Sequence, residues 1–99
     1  MFEDVGIRLT YFDVKGRAEL ARLCFTYGKI DFTDRRIKND KWADVKLKTP
    51  LGQLPVLEYE THKICQSLTI ARFAAKLAGL SGKTKYEKLR ADMMVESLV

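Results

Sequence analysis

Ile7, Leu9 and Tyr11 alternate with Arg8, Thr10 and Phe12, the period of two that predicts a first strand. Val14-Lys15-Gly16 reads as a short loop, and after it the period changes. Leu20, Leu23, Cys24 and Tyr27 fall at i, i+3, i+4 and i+7. That spacing predicts a one-sided helix over residues 17–27 with this stripe inward, closed by Gly28 as a left-handed cap. Ile30 and Phe32, followed by Asp34 and Arg36, predict a second strand that becomes solvated, as an edge strand can. A strand, a helix and a strand within about thirty residues form a βαβ unit, so the two strands should run parallel.

Asn39 or Asp40 is placed to cap a short helix carrying Trp42 and Val45, and Thr49-Pro50-Leu51-Gly52 breaks it. Residues 55–58 and 63–65 read as a hairpin turning through 59–62. Pro55 at the first strand position costs the ladder only a terminal donor. Ser67 suits the N-cap of a helix over residues 68–78. Its apolar residues nearly encircle it, so it should be largely buried, and Gly79 ends it. Leu80-Ser81-Gly82 reads as a linker. Thr84 and Glu87 form a capping box opening a further helix with Leu89, Met93 and Leu98 on one side. That helix has no stop signal before Val99, so a fragment of a longer chain is expected. The order βαβα, then ββα, suits an α/β fold: a four-stranded mixed sheet with helices on both faces, a thioredoxin-like layout. The expected division is a thioredoxin-like domain over residues 1–80, then a linker and the first helix of an all-α domain over 81–99.

Ninety-nine residues suit one modest core, and 46% hydrophobic with 31% charged residues exclude a disordered chain. The net charge of +5 raises the question of an anionic partner. Basic residues are scattered among acids, and the tightest run, Lys83, Lys85, Lys88 and Arg90, is interrupted by Glu87. This favours a solvated surface over nucleic-acid binding and leaves a small anionic ligand open. No stretch reaches the ~18 apolar residues of a membrane span. The N-terminus has acids where a secretion signal needs a basic start. No membrane partner and a cytoplasmic location are expected. Cys24 and Cys65 make no CxxC pair, and with the single His62 they give no metal-ligand spacing. Disulfide exchange on this layout needs a cysteine at the start of the first helix, where Val14-Lys15-Gly16-Arg17 stands instead.

TYFDVKGRAELARL, KWADVKLKTPLGQLPVLE and QSLTIARFAAK, in this order and spacing, resemble the N-terminal domain of cytosolic glutathione transferases. The nearest branch is the sigma class, which includes glutathione-dependent prostaglandin D synthases and the lens S-crystallins. The resemblance implies glutathione as co-substrate, a hydrophobic electrophile as second substrate, no metal, a homodimer, and a role in detoxication or glutathione-dependent isomerisation. A thiol of pKa ~8.5 is only a few per cent ionised at neutral pH, so a donor aimed at the sulfur is needed. The resemblance assigns that donor to Tyr11, with Arg17 as its electrostatic support and Phe12 as packing near the sulfur. It puts Trp42 and Lys46, four apart on one side of the short helix, at the glycyl end of glutathione. Gln53 stands where a lysine is common, which implies a weaker contact there. Leu54 precedes a cis Pro55, and its backbone would pair with the cysteinyl part as an added strand does. Gln66 and Ser67 would meet the γ-glutamyl carboxylate at a positive helix end. A carboxylate from a neighbouring subunit is implied near Val99, a role assigned to neither Asp92 nor Glu96. The same resemblance admits two other readings, a structural S-crystallin-like protein and a bare glutathione-binding or adaptor domain.

Overall fold

A computed structural model of the chain describes residues 6–97. Strands β1 (Ile7–Phe12) and β2 (Thr33–Ile37) pair in parallel, and β3 (Val56–Tyr59) and β4 (His62–Cys65) complete a sheet of order β2-β1-β3-β4. The β1–β3 and β3–β4 pairs are antiparallel. The sheet is therefore mixed, with β2 at an edge, in the thioredoxin-like arrangement. Alternation sends Leu9 and Leu57 to one face, where helices α1 (Glu19–Tyr27) and α3 (Ser67–Leu77) bury them with Phe25 and Ile70. The short α2 (Trp42–Lys46) lies over the other face, and α4 (Lys85–Ser97) packs against α3.

Helix α1 is turned by about one residue from the stripe that periodicity suggests. Ala18, Ala21, Arg22, Cys24 and Phe25 are buried, whereas Leu23 is 56% and Tyr27 69% exposed. The small side chains of Ala18 and Ala21 let the helix approach closely, and the ion pairs of Arg22 hold it inward. The first turn is also tighter than expected: Gly16–Ala18 form a 3-10 turn before the α-helix begins. Burial in apolar surroundings raises the pKa of Cys24, as fits a core thiol.

Gly28 is not the left-handed residue. Its φ is −80°, and Lys29, at φ 55°, takes that conformation. Lys29 N donates to Thr26 O at 3.1 Å and Ile30 N to Phe25 O at 2.9 Å, a Schellman closure with Lys29 at its turning point. Gly28 answers a different need: a Cβ there would lie 2.8 Å from Ala78 Cβ, where the ends of α1 and α3 meet. The closure occupies the residues around Ile30, so β2 starts at Thr33, later than its sequence pattern suggests. Phe32 turns inward to pack its ring 5.0 Å from that of Phe25.

Two expected caps are absent. Asn39–Lys41 form a 3-10 turn leading into α2, and no side chain caps either element. Helix α3 begins at Ser67 itself, with Gln66 in the cap position at φ 80° and no capping side-chain bond. Gly79 does end α3 in the left-handed region, with Leu80 N donating to Ala75 O at 2.8 Å. Burial on α3 is confined to Ile70, Ala71, Ala74 and Ala75, and Leu77 is exposed. On α4 the inward residue is Val95, while Leu89 and Met93 face solvent; Leu98 lies outside the described residues. Arg72 on α3 ties α4 down through Asp92 and Glu96.

The Gly28 φ is open to alanine, so Gly28→Ala tests the α1–α3 approach rather than backbone strain. Overpacking there is expected to lower stability by about 2 kcal/mol in urea denaturation; an unchanged midpoint would show that the contact yields. The capping box gives a pH prediction. Glu87 Oε1 accepts from Lys83 N at 2.8 Å and Thr84 N at 3.2 Å, and Thr84 Oγ1 accepts from Glu87 N at 3.1 Å. The two bonds to the carboxylate, that from Lys83 first, lower the Glu87 pKa. Its contribution is therefore present above the ordinary glutamate range and lost as pH falls through the lowered value. Glu87→Gln should flatten part of the acid-side fall in stability between neutral and strongly acidic pH; an unaltered pH profile would contradict this.

Candidate active site at the end of the sheet

Ladder register gathers the sequence-predicted residues at one end of the sheet. Thr10 pairs with Val56 and Val56 with Cys65, so Tyr11, Pro55 and Gln66 form the next row outward. Phe12 pairs with Ile37 at the same end of β2, from which the chain runs on into α2. The Leu54–Pro55 peptide is cis, Pro55 is buried and Leu54 half-buried. Ser67 is half-buried at the first turn of α3, where the opening amides have no acceptor within the helix and no acidic residue intervenes. That end of α3 is suited to a carboxylate.

Tyr11 is half-buried, and its hydroxyl accepts a bond from the backbone amide of Arg17 at 3.2 Å. A phenol oxygen that accepts in this way keeps its own proton to donate, and the incoming bond strengthens it as a donor. The amide reaches the phenol because Gly16, at φ 43°, brings the backbone under the ring. A Cβ on Gly16 would lie 2.5 Å from the Tyr11 hydroxyl, so this position has room for glycine alone. The Arg17 side chain is exposed, and the contact with Tyr11 runs through its main chain.

An aromatic series fixes the neighbourhood. The Phe12 ring stands edge-on to Tyr11 at 5.5 Å and to Trp42 at 5.4 Å. Trp42 is half-buried by this packing, and Lys46, one turn on, is exposed. The Lys46 stem passes 3.6 Å from the Cβ position of Gly52, which sets its charge beside the loop carrying Gln53 and Leu54. Gln53 and Gln66 are both exposed. Among the described residues no group of three His, Cys, Asp or Glu side chains could hold a metal ion, and no helix is long and apolar enough to cross a membrane.

Arg22 is the residue that periodicity misses. It is 4% exposed. Its Nη1 donates to Val14 O at 2.6 Å, Nη2 to Phe12 O at 3.3 Å, and Nε to Asp34 Oδ1 at 3.0 Å. Glu19 adds a carboxylate at 3.4 Å, and the guanidinium stands 5.7 Å from the centre of the Tyr11 ring. One side chain thus fixes the turn between β1 and α1 and one wall of the tyrosine. The available signal was its placement between Ala21 and Phe25 on the truly buried face, with Asp34 as partner on β2.

The domain is thioredoxin-like, with a tyrosine at the end of its first strand and no cysteine at the start of its first helix. Comparison with known proteins agrees: residues 7–76 match the family described as Glutathione S-transferase, N-terminal domain. The chain belongs to that family. It is 40% identical over 90 residues to a probable glutathione S-transferase 9 of Caenorhabditis elegans, covering 91% of this chain and 44% of that protein. It is 44% identical over 91 residues to the hematopoietic prostaglandin D synthase of Mus musculus, covering 92% and 46%. Among solved structures, a monomeric glutathione S-transferase from the hookworm Necator americanus superposes with a TM-score of 0.87 at 40% identity, over 95% of this chain and 46% of that one. The chain spans less than half the length of these relatives.

Arg22→Met keeps the aliphatic stem and removes the donors to Phe12, Val14 and Asp34. Stability is expected to fall by about 3 kcal/mol in urea denaturation. A change within about 0.5 kcal/mol, ordinary for a surface site, would remove Arg22 from this role.

Proposed function

We propose that the whole protein is a glutathione transferase in which Tyr11 stabilises the glutathione thiolate for attack on a hydrophobic electrophile, or for glutathione-dependent isomerisation. The observation that carries this reading is the Tyr11 hydroxyl, held by the Arg17 amide at the sheet end that also presents Pro55 and the start of α3. The thiol proton leaves for solvent while the phenol donates to the sulfur. The sulfur lone pair then forms the new bond, and the electrons of the displaced bond go to the leaving atom. Ser67, Gln66 and the α3 amides would take the γ-glutamyl carboxylate, Leu54 and Pro55 the cysteinyl backbone, and Trp42, Lys46 and Gln53 the glycyl end. Arg17 would act through its amide, with its charge adding to a positive surround.

We assign the chain to the sigma branch on its motifs, with support from 40–44% identity to hematopoietic prostaglandin D synthases of four vertebrates. Detoxication, a cytoplasmic location and a homodimer belong to the same reading. So does the division into residues 1–80 and 81–99. Its support is α4, which leaves Tyr86, Leu89, Met93 and Met94 exposed, as the first helix of a larger helical unit would.

The test follows the ultraviolet absorbance of bound glutathione thiolate against pH in the whole protein and its Tyr11→Phe variant. One hydrogen bond to a charged sulfur is worth about 1.5–3 kcal/mol, so the thiol midpoint should drop by about one to two pH units. Tyr11→Phe should lose most of that drop. Titration at the free-glutathione midpoint in both proteins would leave a binding or structural role instead.

A further inference from the structure

The second face of the sheet carries a chemistry that the site at its end does not use. Register sets Thr10 between Arg35 on β2 and Val56 on β3, with Arg8 and Glu58 in the adjoining row. Between this face and α2 runs an open groove of about 810 Å³. Helical spacing separates the two sides of α2. Trp42 and Lys46 belong to the tyrosine end, whereas Lys41, Val45 and Lys48 line the groove.

The charge of the groove is one-sided. Seven basic residues and two acids line it. Among the described residues, those outside the groove number eleven basic and nine acidic. Most of the positive excess of the described residues therefore resides here. Some of these cations are engaged. Arg8 pairs with Glu58 at 2.8 Å, Arg36 pairs with Asp13 and Asp34, and Lys63 Nζ donates to Lys48 O at 3.2 Å. Arg35, Lys38, Lys41 and Lys48 form no ion pair among the described residues; of the two acids lining the groove, Glu58 is taken by Arg8 and Asp44 remains.

Thr10 supplies a second and independent observation. It is 3% exposed, lines the groove, and its hydroxyl has no hydrogen-bond partner. It stands out on that count among the buried side-chain polar atoms of the described residues. A buried hydroxyl left unpaired is costly, and one beneath a cluster of unpaired cations is suited to an anionic oxygen.

We propose that this groove binds a small multivalent oxyanion of the phosphate- or sulfate-ester class, held by Arg35, Lys38, Lys41 and Lys48 above Thr10. The planar guanidinium of Arg35 suits two oxygens of one such group, and the lysines serve as point charges for its neighbours. The volume falls within the range of small-molecule sites and exceeds the need of a single phosphate. Among the described residues no aromatic side chain lines the groove, and they offer no stacking surface of the kind on which nucleobases are held. The recognised feature is the row of oxyanions. The four cations and Thr10 lie across the sheet from the face carrying Tyr11; of the residues assigned to glutathione, Leu54 alone also lines the groove, at its rim toward the sheet end.

Calorimetric titration of the whole protein with inorganic tripolyphosphate, at fixed salt and with glutathione saturating, tests this. The expected result is one-to-one binding that glutathione does not displace. Arg35→Gln should weaken it about tenfold and Thr10→Val about fivefold. The paired control Lys83→Gln/Lys85→Gln, outside the groove, should leave it unchanged. Arg35 is on the surface, so its variant keeps the test readable should Thr10→Val fail to fold. A parallel titration with a fully sulfated disaccharide separates the sources: the tighter of the two ligands identifies phosphate or sulfate esters, and either supports the site. Displacement by glutathione, equal loss in the Lys83/Lys85 control, undiminished affinity in Arg35→Gln, or no binding of either probe would overturn it.

Discussion

A guanidinium removed from water must find acceptors for its N–H groups, because the cost of leaving them unpaired is large. Arg22 finds them at the close of β1, in the turn that follows, and on β2. The course of the chain between β1 and α1 depends on this requirement. Phe12 and Val14 carbonyls are held in place by it, so the chain leaves the strand on a fixed course. That course brings Gly16 and the Arg17 amide to the Tyr11 hydroxyl. The same demand turns α1 on its axis, which sends Ala18, Ala21 and Phe25 inward and leaves Leu23 and Tyr27 outside.

A sheet has two faces, and period-two alternation lets each be written separately. In this domain Leu9, Leu57 and Ile64 contribute to the helix-covered face, while Arg8, Thr10, Arg35, Glu58 and Lys63 occupy the other. The apolar face supplies the hydrophobic burial. Among the described residues the polar face is covered by the short α2 alone, so its charges remain hydrated at modest cost. The end of the sheet belongs to neither face. There the strands stop, backbone groups are released from the ladder, and side chains from β1, β3 and α3 converge without competing for core space.

Much of this was legible in the residues. Alternation located β1 and the hairpin, and the Thr84–Glu87 pair located the start of α4, because each signal is local and its chemistry closes within a few residues. The candidate site was legible through its motifs, and register accounts for the meeting of Tyr11, Pro55 and Gln66. What periodicity misread depends on distant partners. An arginine in a helix reads as solvated unless Asp34 and the carbonyls of Phe12 and Val14 are known to await it. Gly28 reads as a cap, whereas its hydrogen is required by Ala78, fifty positions along the chain. Ser67 reads as an N-cap, yet Gln66 takes that position and the Ser67 hydroxyl is left uncommitted at the helix entrance.

The Tyr11 hydroxyl is oriented by main chain rather than by another side chain, and this has a mechanistic consequence. A hydrogen bond from a backbone amide carries no rotamer freedom, so the phenol is set before a ligand arrives and little ordering remains at binding. The amide does not titrate, and its support for the phenol persists at any pH at which the fold persists. The Arg17 side chain is left exposed. The resemblance assigns Arg17 electrostatic support; the structure shows its backbone holding the phenol, and under the proposed function its side chain would add field. Because the turn that delivers the amide is held by Arg22, the geometry of the Tyr11 hydroxyl depends on a residue further along the chain in α1.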